Sequence, residues 1–138
     1  MLTIAEVAKV LPMRRILVID DDAQFRSYVV KLLVRRGFEV TEADSGTKAL
    51  DLMKSATFDA ILTDILMPDM EGIETIRRLN ADIGTCKIIA MSGGGSGPVD
   101  YLRYAERLGA AATLRKPFAP NEILDVLNRV LGPAAEGA

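Results

Sequence analysis

The sequence predicts a doubly wound α/β fold, five parallel strands alternating with five helices. Three observations carry this. Short β-rich apolar runs recur along the chain and alternate with stretches of helical periodicity. Three of those runs are apolar throughout, as strands covered on both faces are, while another alternates apolar with polar. Four runs end in an aspartate, a serine or a lysine, and the carboxyl ends of strands form the rim where open α/β sheets bind ligands. The length, 138 residues, suits one domain with a real core, and 49% hydrophobic with 26% charged residues suits a folded chain.

Taken in order, residues 1–13 read as an N-terminal extension. Thr3 and Glu6 have capping-box spacing, and Leu2 with Val7 could staple a short helix that Pro12 ends; a frayed tail is the equal alternative. Residues 14–131 form the domain. Its first strand, Arg14 to Asp20, contains Ile16-Leu17-Val18-Ile19 and runs into Asp20-Asp21-Asp22. Asp22 is placed to cap a helix whose inner face is Phe25, Val29, Leu32 and Leu33. Arg35-Arg36-Gly37 closes that helix with basic residues and a C-cap glycine. Phe38 to Ala43 alternates and is expected as an edge strand. Ser45 can cap a second helix carrying Ala49, Leu50 and Met53.

The third strand, Phe58 to Thr63, presents Asp64. Met67-Pro68 turns the chain, and a third helix carries Ile73, Ile76 and Ile83. Cys86 to Ser92 is a further apolar strand, followed by a loop of four glycines among residues 93–97. A fourth helix carries Val99, Leu102, Ala105 and Leu108 and stops at Gly109. Ala110 to Arg115 is a short last strand before Lys116-Pro117-Phe118. Pro120 opens the final helix, proline being favoured at a first helical position. Residues 132–138, rich in Gly, Ala and Pro, are expected to be disordered. Bland strands belong in the middle of the sheet and the alternating one at its edge, which gives the flavodoxin-like order 2-1-3-4-5.

Composition narrows the chemistry. Histidine is absent, which removes Ser-His-Asp and Cys-His catalysis, histidine metal sites and a phosphohistidine on this chain. The net charge of −2 comes without a basic block, so nucleic acid is not an expected partner. A single cysteine, Cys86, allows no internal disulfide and fits a reducing compartment. No apolar stretch approaches the ~20 residues that span a bilayer, and no signal peptide is legible, so a cytoplasmic protein without membrane contact is expected.

The strand ends align Asp20 and Asp21, Asp64, Ser92 and Lys116 on one rim. Each has an ordinary explanation alone: a turn aspartate, a strand-end hydroxyl, a surface lysine. Together they form a site. Crowded carboxylates repel one another, and a divalent cation relieves the repulsion. Oxygen-only ligands point to Mg²⁺. Lysine and serine complete a set suited to phosphoryl transfer, where positioning and charge neutralisation dominate, and a carboxylate can itself be the nucleophile. Asp64, on the central strand between the acidic side and the Ser92/Lys116 side, is the expected acceptor.

These residues resemble the receiver domain of two-component response regulators, of the CheY-like, stand-alone type. The matches are Ile16 to Asp22 followed by Arg26, Asp64-x-x-Met67-Pro68-x-Met70-x-Gly72, Ser92 after an apolar strand, and Lys116-Pro117-Phe118. They come in family order, with 43 positions from Asp21 to Asp64 and 52 from Asp64 to Lys116. The resemblance implies a phosphorelay signal-transduction phosphoprotein. Asp64 would accept a phosphoryl group from a phosphohistidine on a histidine kinase or histidine phosphotransfer protein. Asp21 and Asp64 would ligate Mg²⁺ directly, Asp20 through water, and the Leu66 backbone carbonyl would complete the protein ligands. Lys116 would bridge to Asp64 or its phosphoryl group, Ser92 would hydrogen-bond the phosphoryl oxygen, and the Lys116-Pro117 bond would be cis.

The protein would catalyse only its own phosphorylation and dephosphorylation, so it is not expected to be an enzyme acting on other molecules. A downstream protein target would dock on the fourth helix, last strand and last helix, flanked by Tyr101, Arg103, Tyr104 and Arg107; a homodimer is left open. Two departures from the pattern stand out. Thr113 occupies a position where many members carry an aromatic, and the loop after Ser92 is unusually rich in glycine. Three rivals differ in what they require. A haloacid-dehalogenase-like phosphatase needs a second aspartate where Leu66 stands. A flavin-binding fold of the same topology gives no reason for the acidic cluster, and a receiver-like scaffold gives none for the full set of acidic residues and Lys116.

Overall fold

Strand periodicity explains how the core is built. In β1 (Arg15–Ile19) alternate residues leave opposite faces of the sheet, so Ile16 and Val18 enter one apolar cluster while Leu17 and Ile19 enter the other. The computed structural model describes residues 13–65, 74–75, 77–78, 87–93, 101–107 and 109–132, without the side chains of Tyr101 and Tyr104. The remaining strands are β2 (Glu39–Ala43), β3 (Ala60–Asp64), β4 (Lys87–Ser92) and β5 (Ala112–Arg115). All pairings are parallel, and the order is β2-β1-β3-β4-β5, as expected from the sequence. The half-exposed pattern of β2 suits its edge position, and β3 is buried along its whole length.

The described helices are α1 (Ala23–Arg35), α2 (Gly46–Leu52), α3 (Tyr101–Arg107) and α4 (Pro120–Leu131). The last two are the expected fourth and fifth. Glu74, Thr75, Arg77 and Arg78 are also helical, within the expected third. Val29 and Leu33 of α1 and Ile123, Val126 and Leu127 of α4 cover one face of the sheet. Ala49 of α2 and Leu102 and Ala105 of α3 cover the other. Each fully buried Leu or Ile contributes about 1.5–3 kcal/mol relative to exposure, so this double covering holds the strands and their ends in place.

Local signals set the helix limits. The Asp22 carboxylate accepts from the N–H groups of Gln24 and Phe25 at 3.0 and 3.1 Å and starts α1. Gly37, at φ 93°, closes it, since a left-handed residue there favours glycine. Ser45 Oγ accepts from the Lys48 N–H at 3.1 Å to start α2. Helix α2 ends at Leu52, with Met53 as its cap, one residue short of the expected face. Pro120 occupies the first turn of α4, and the Glu122 carboxylate accepts from the Ala119 N–H at 2.9 Å. The Leu66 carbonyl and most of the expected N-terminal extension, C-terminal tail, glycine loop and third helix lie outside the described residues.

Candidate functional site

Register builds the site before any side chain is considered. Ile19 is level with Thr63, so Asp20 and Asp64 follow side by side on neighbouring strands. Asp64 is level with Met91 and Ser92 with Arg115, so Ser92 and Lys116 continue the same rim. Backbone bonds carry the order past the strand ends: Asp20 N–H donates to Ala43 O at 3.1 Å, Ile65 N–H to Met91 O at 3.0 Å, and Lys116 N–H to Ser92 O at 2.7 Å. The sequence-predicted residues Asp20, Asp21, Asp64, Ser92 and Lys116 are therefore brought to one edge, although they span almost a hundred positions.

The side chains of Asp20, Asp21, Asp64 and Lys116 meet as well. One carboxylate oxygen each from Asp20, Asp21 and Asp64 lies within 4.8 Å of the others. Asp20 is wholly buried, Asp64 and Ser92 nearly so, and Asp21 is exposed. Lys116 Nζ lies 2.6 Å from Asp20 Oδ2 and 3.2 Å from Asp64 Oδ2. Lysine thus bridges two carboxylates, with the shorter contact to Asp20 rather than to the expected acceptor. Burial pulls its pKa down, but the hydrogen bond to Asp20 and the negative charges of Asp64 and Asp20 outweigh it, and the pKa is raised above the ordinary lysine value. The other oxygen of Asp20 accepts from the Asp22 N–H at 2.9 Å, so this carboxylate is held from two sides. The Lys116-Pro117 bond is cis.

Two further residues serve the site without having been singled out for it. Arg26, quoted above only as part of a motif, donates from Nη1 to the Asp20 backbone carbonyl at 2.6 Å and from Nε to Glu42 at 2.8 Å. It ties the acidic loop to edge strand β2. Phe25 lies under the lysine, with Nζ 4.3 Å from its ring centroid. The signal for Arg26 was its place one turn after a capping aspartate; nothing local distinguished Phe25 from an ordinary core residue. Thr113 is half-buried on β5, level with Ala90.

Oxygen is the only donor type at this cluster. The mutual approach of three carboxylates fits a hard divalent cation, with Lys116 offsetting one of the three charges. Chemically the edge can hold a cation, present the buried Asp64 carboxylate as a nucleophile, and stabilise added negative charge with lysine and serine. None of the described helices is long and apolar enough to cross a membrane.

Comparison with known proteins agrees with this geometry. Residues 16–128 match the family model for the response regulator receiver domain. The response regulator receiver protein CpdR of Brucella abortus is 34% identical over 119 residues, which is 86% of this chain and 98% of that protein. Among solved structures, a CheY-like receiver domain protein from Methanospirillum hungatei superposes with a TM-score of 0.81 at 28% identity, over 87% of this chain and 94% of the other. The response regulator TrrA of Thermotoga maritima, solved in complex with Mg²⁺-BeF, gives a TM-score of 0.75 at 28% identity, over 86% of this chain and all of the other, 100%.

Proposed function

The chain belongs to the response regulator receiver family, a two-component phosphorelay signalling module, and from that premise we propose that Asp64 is its phosphoacceptor. The observation that carries this is the pairing of a nearly buried Asp64 with Lys116 at 3.2 Å beside two further carboxylates. An Asp64 oxygen attacks the phosphorus of a phosphohistidine on a histidine kinase or phosphotransfer protein. The P–N bond breaks, its electron pair leaves with the imidazole nitrogen, and an acyl phosphate forms on Asp64. Lys116 meets the charge on the phosphoryl oxygens, and Ser92, on the neighbouring strand end, donates to one of them. Later attack by water on the phosphorus regenerates the carboxylate, so turnover is confined to the protein's own phosphoryl group.

Asp20, Asp21 and Asp64, with the Leu66 carbonyl, would hold Mg²⁺, which when bound neutralises negative charge between carboxylate and phosphoryl group. The metal-bound neighbour from Thermotoga maritima supports that choice of ion. The domain is taken to run from residue 14 to 131. The output surface is assigned to α3, β5 and α4, where Arg103, Arg107 and Arg115 are exposed, and its partner to a downstream protein or a second copy. The test is labelling by a small phosphodonor with Mg²⁺: wild type becomes labelled and D64N does not. Labelling of D64N at the wild-type level would refute the assignment.

A further inference from the structure

Lys116 has a third partner besides its two carboxylates. Its ammonium stands 4.3 Å from the centroid of Phe25, within cation–π range. Phe25 sits in the first turn of α1, where the Asp22 carboxylate accepts its N–H at 3.1 Å and fixes its backbone next to the acidic loop. Phe118 packs against the same ring in a T-shaped arrangement, with centroids 5.4 Å apart and planes at 87°. Lys116 and Phe118, two residues apart, therefore both pack against the same ring. Tyr28 packs beside it at 6.0 Å. The lysine side chain is 14% exposed, so the aromatic face replaces water where a long, flexible side chain would otherwise be free to turn outward. An aromatic face attracts a cation through its quadrupole, an attraction that a leucine of similar bulk lacks.

We propose that Phe25 is a positioning residue for phosphoryl transfer: its ring face seats the Lys116 ammonium, so that the charge is already aimed at the Asp20–Asp64 edge when the phosphoryl group arrives. The lysine then need not be ordered during the reaction, which is how preorganised charge lowers a barrier. This rests on the proposed role of Lys116, and the experiment separates the two.

Self-labelling rates with an acyl phosphate and Mg²⁺ are measured for wild type, F25L, F25Y and K116M. F25L should be slowed about two- to thirty-fold, the range to which a cation–π contact corresponds. F25Y, which restores a ring face, should recover most of the rate. Thermal melting of the metal-free proteins gives a second readout. The melting-temperature loss caused by F25L should shrink once Lys116 is replaced in F25L/K116M, because a pairwise attraction appears only when both partners are present. If F25L does not fold, F25M takes its place in both measurements.

A leucine variant as fast as wild type while K116M is inert would overturn the seat. So would a tyrosine variant as slow as the leucine one, or melting losses that simply add. Normal labelling of K116M would instead overturn the role of the lysine itself.

Discussion

The two ends of the same sheet each pair a basic side chain with a carboxylate and treat the pair in opposite ways. At the amino end, Arg15 and Glu39 form an ion pair at 2.7 Å, the Arg15 guanidinium lies over Phe58, and Asp59 accepts the Arg15 backbone N–H. At the carboxyl end, Lys116 and Asp20 approach to 2.6 Å. Separation does not distinguish them; water does. The amino-end side chains are 39% and 55% exposed, the carboxyl-end ones 14% and 0%. Exposed pairs are screened and worth roughly 0–1 kcal/mol. Buried charges are costly to desolvate and must find partners in the protein. At the carboxyl end Lys116 touches two of three clustered carboxylates, and the net negative charge left there is of the kind that a divalent cation relieves. At the amino end, the described pair lies in water, which screens its charges.

Breaking the buried pair should have the largest effect. K116M leaves Asp20 and Asp64 facing one another without a cation, and the metal-free protein should lose about 3–5 kcal/mol in urea unfolding. Millimolar Mg²⁺ should return part of that loss, because a ligand of the folded state stabilises it.

The same pair predicts a pH dependence. The folded-state pKa of Lys116 is raised, so its contribution is complete below the unfolded-lysine value of about 10.4 and disappears as pH rises through the elevated pKa. The stability gap between wild type and K116M should therefore stay constant from neutral pH up to that value and narrow only beyond it. A gap that closed near neutrality would break the argument.

Smaller effects sharpen the contrast. D22A removes the cap that places Phe25 beside the site, and should cost about 1 kcal/mol by denaturant unfolding. At the opposite end, E39Q should change stability by less than about 0.5 kcal/mol, with no effect on labelling. A larger loss there would mean that solvent exposure is not what separates the two edges.

Much of this was legible in the chain. The apolar runs of β1, β3 and β4 and the alternation of β2 placed each strand in its position, because burial on one face or two leaves a pattern two residues long. The capping roles of Asp22, Ser45 and Pro120 were equally local. The strand-end residues Asp20, Asp64, Ser92 and Lys116 could be picked out because parallel strands must end on a common rim. Arg26 and Phe25 were harder. Their work is done on a backbone carbonyl and on an ammonium ninety-one positions away from Phe25, and neither leaves a periodic trace.

The chain alone thus determined which side chains share the rim, since strand identity and strand ends follow from propensity and pattern over a few residues. Only the tertiary structure decided how those side chains divide their contacts. That Lys116 leans to Asp20 more than to Asp64, that an arginine grips the acidic loop and that an aromatic ring lies beneath the lysine depend on sheet register, helix placement and rotamer choice acting together. Attractions of this kind act over a few ångströms in space, whatever the distance along the chain.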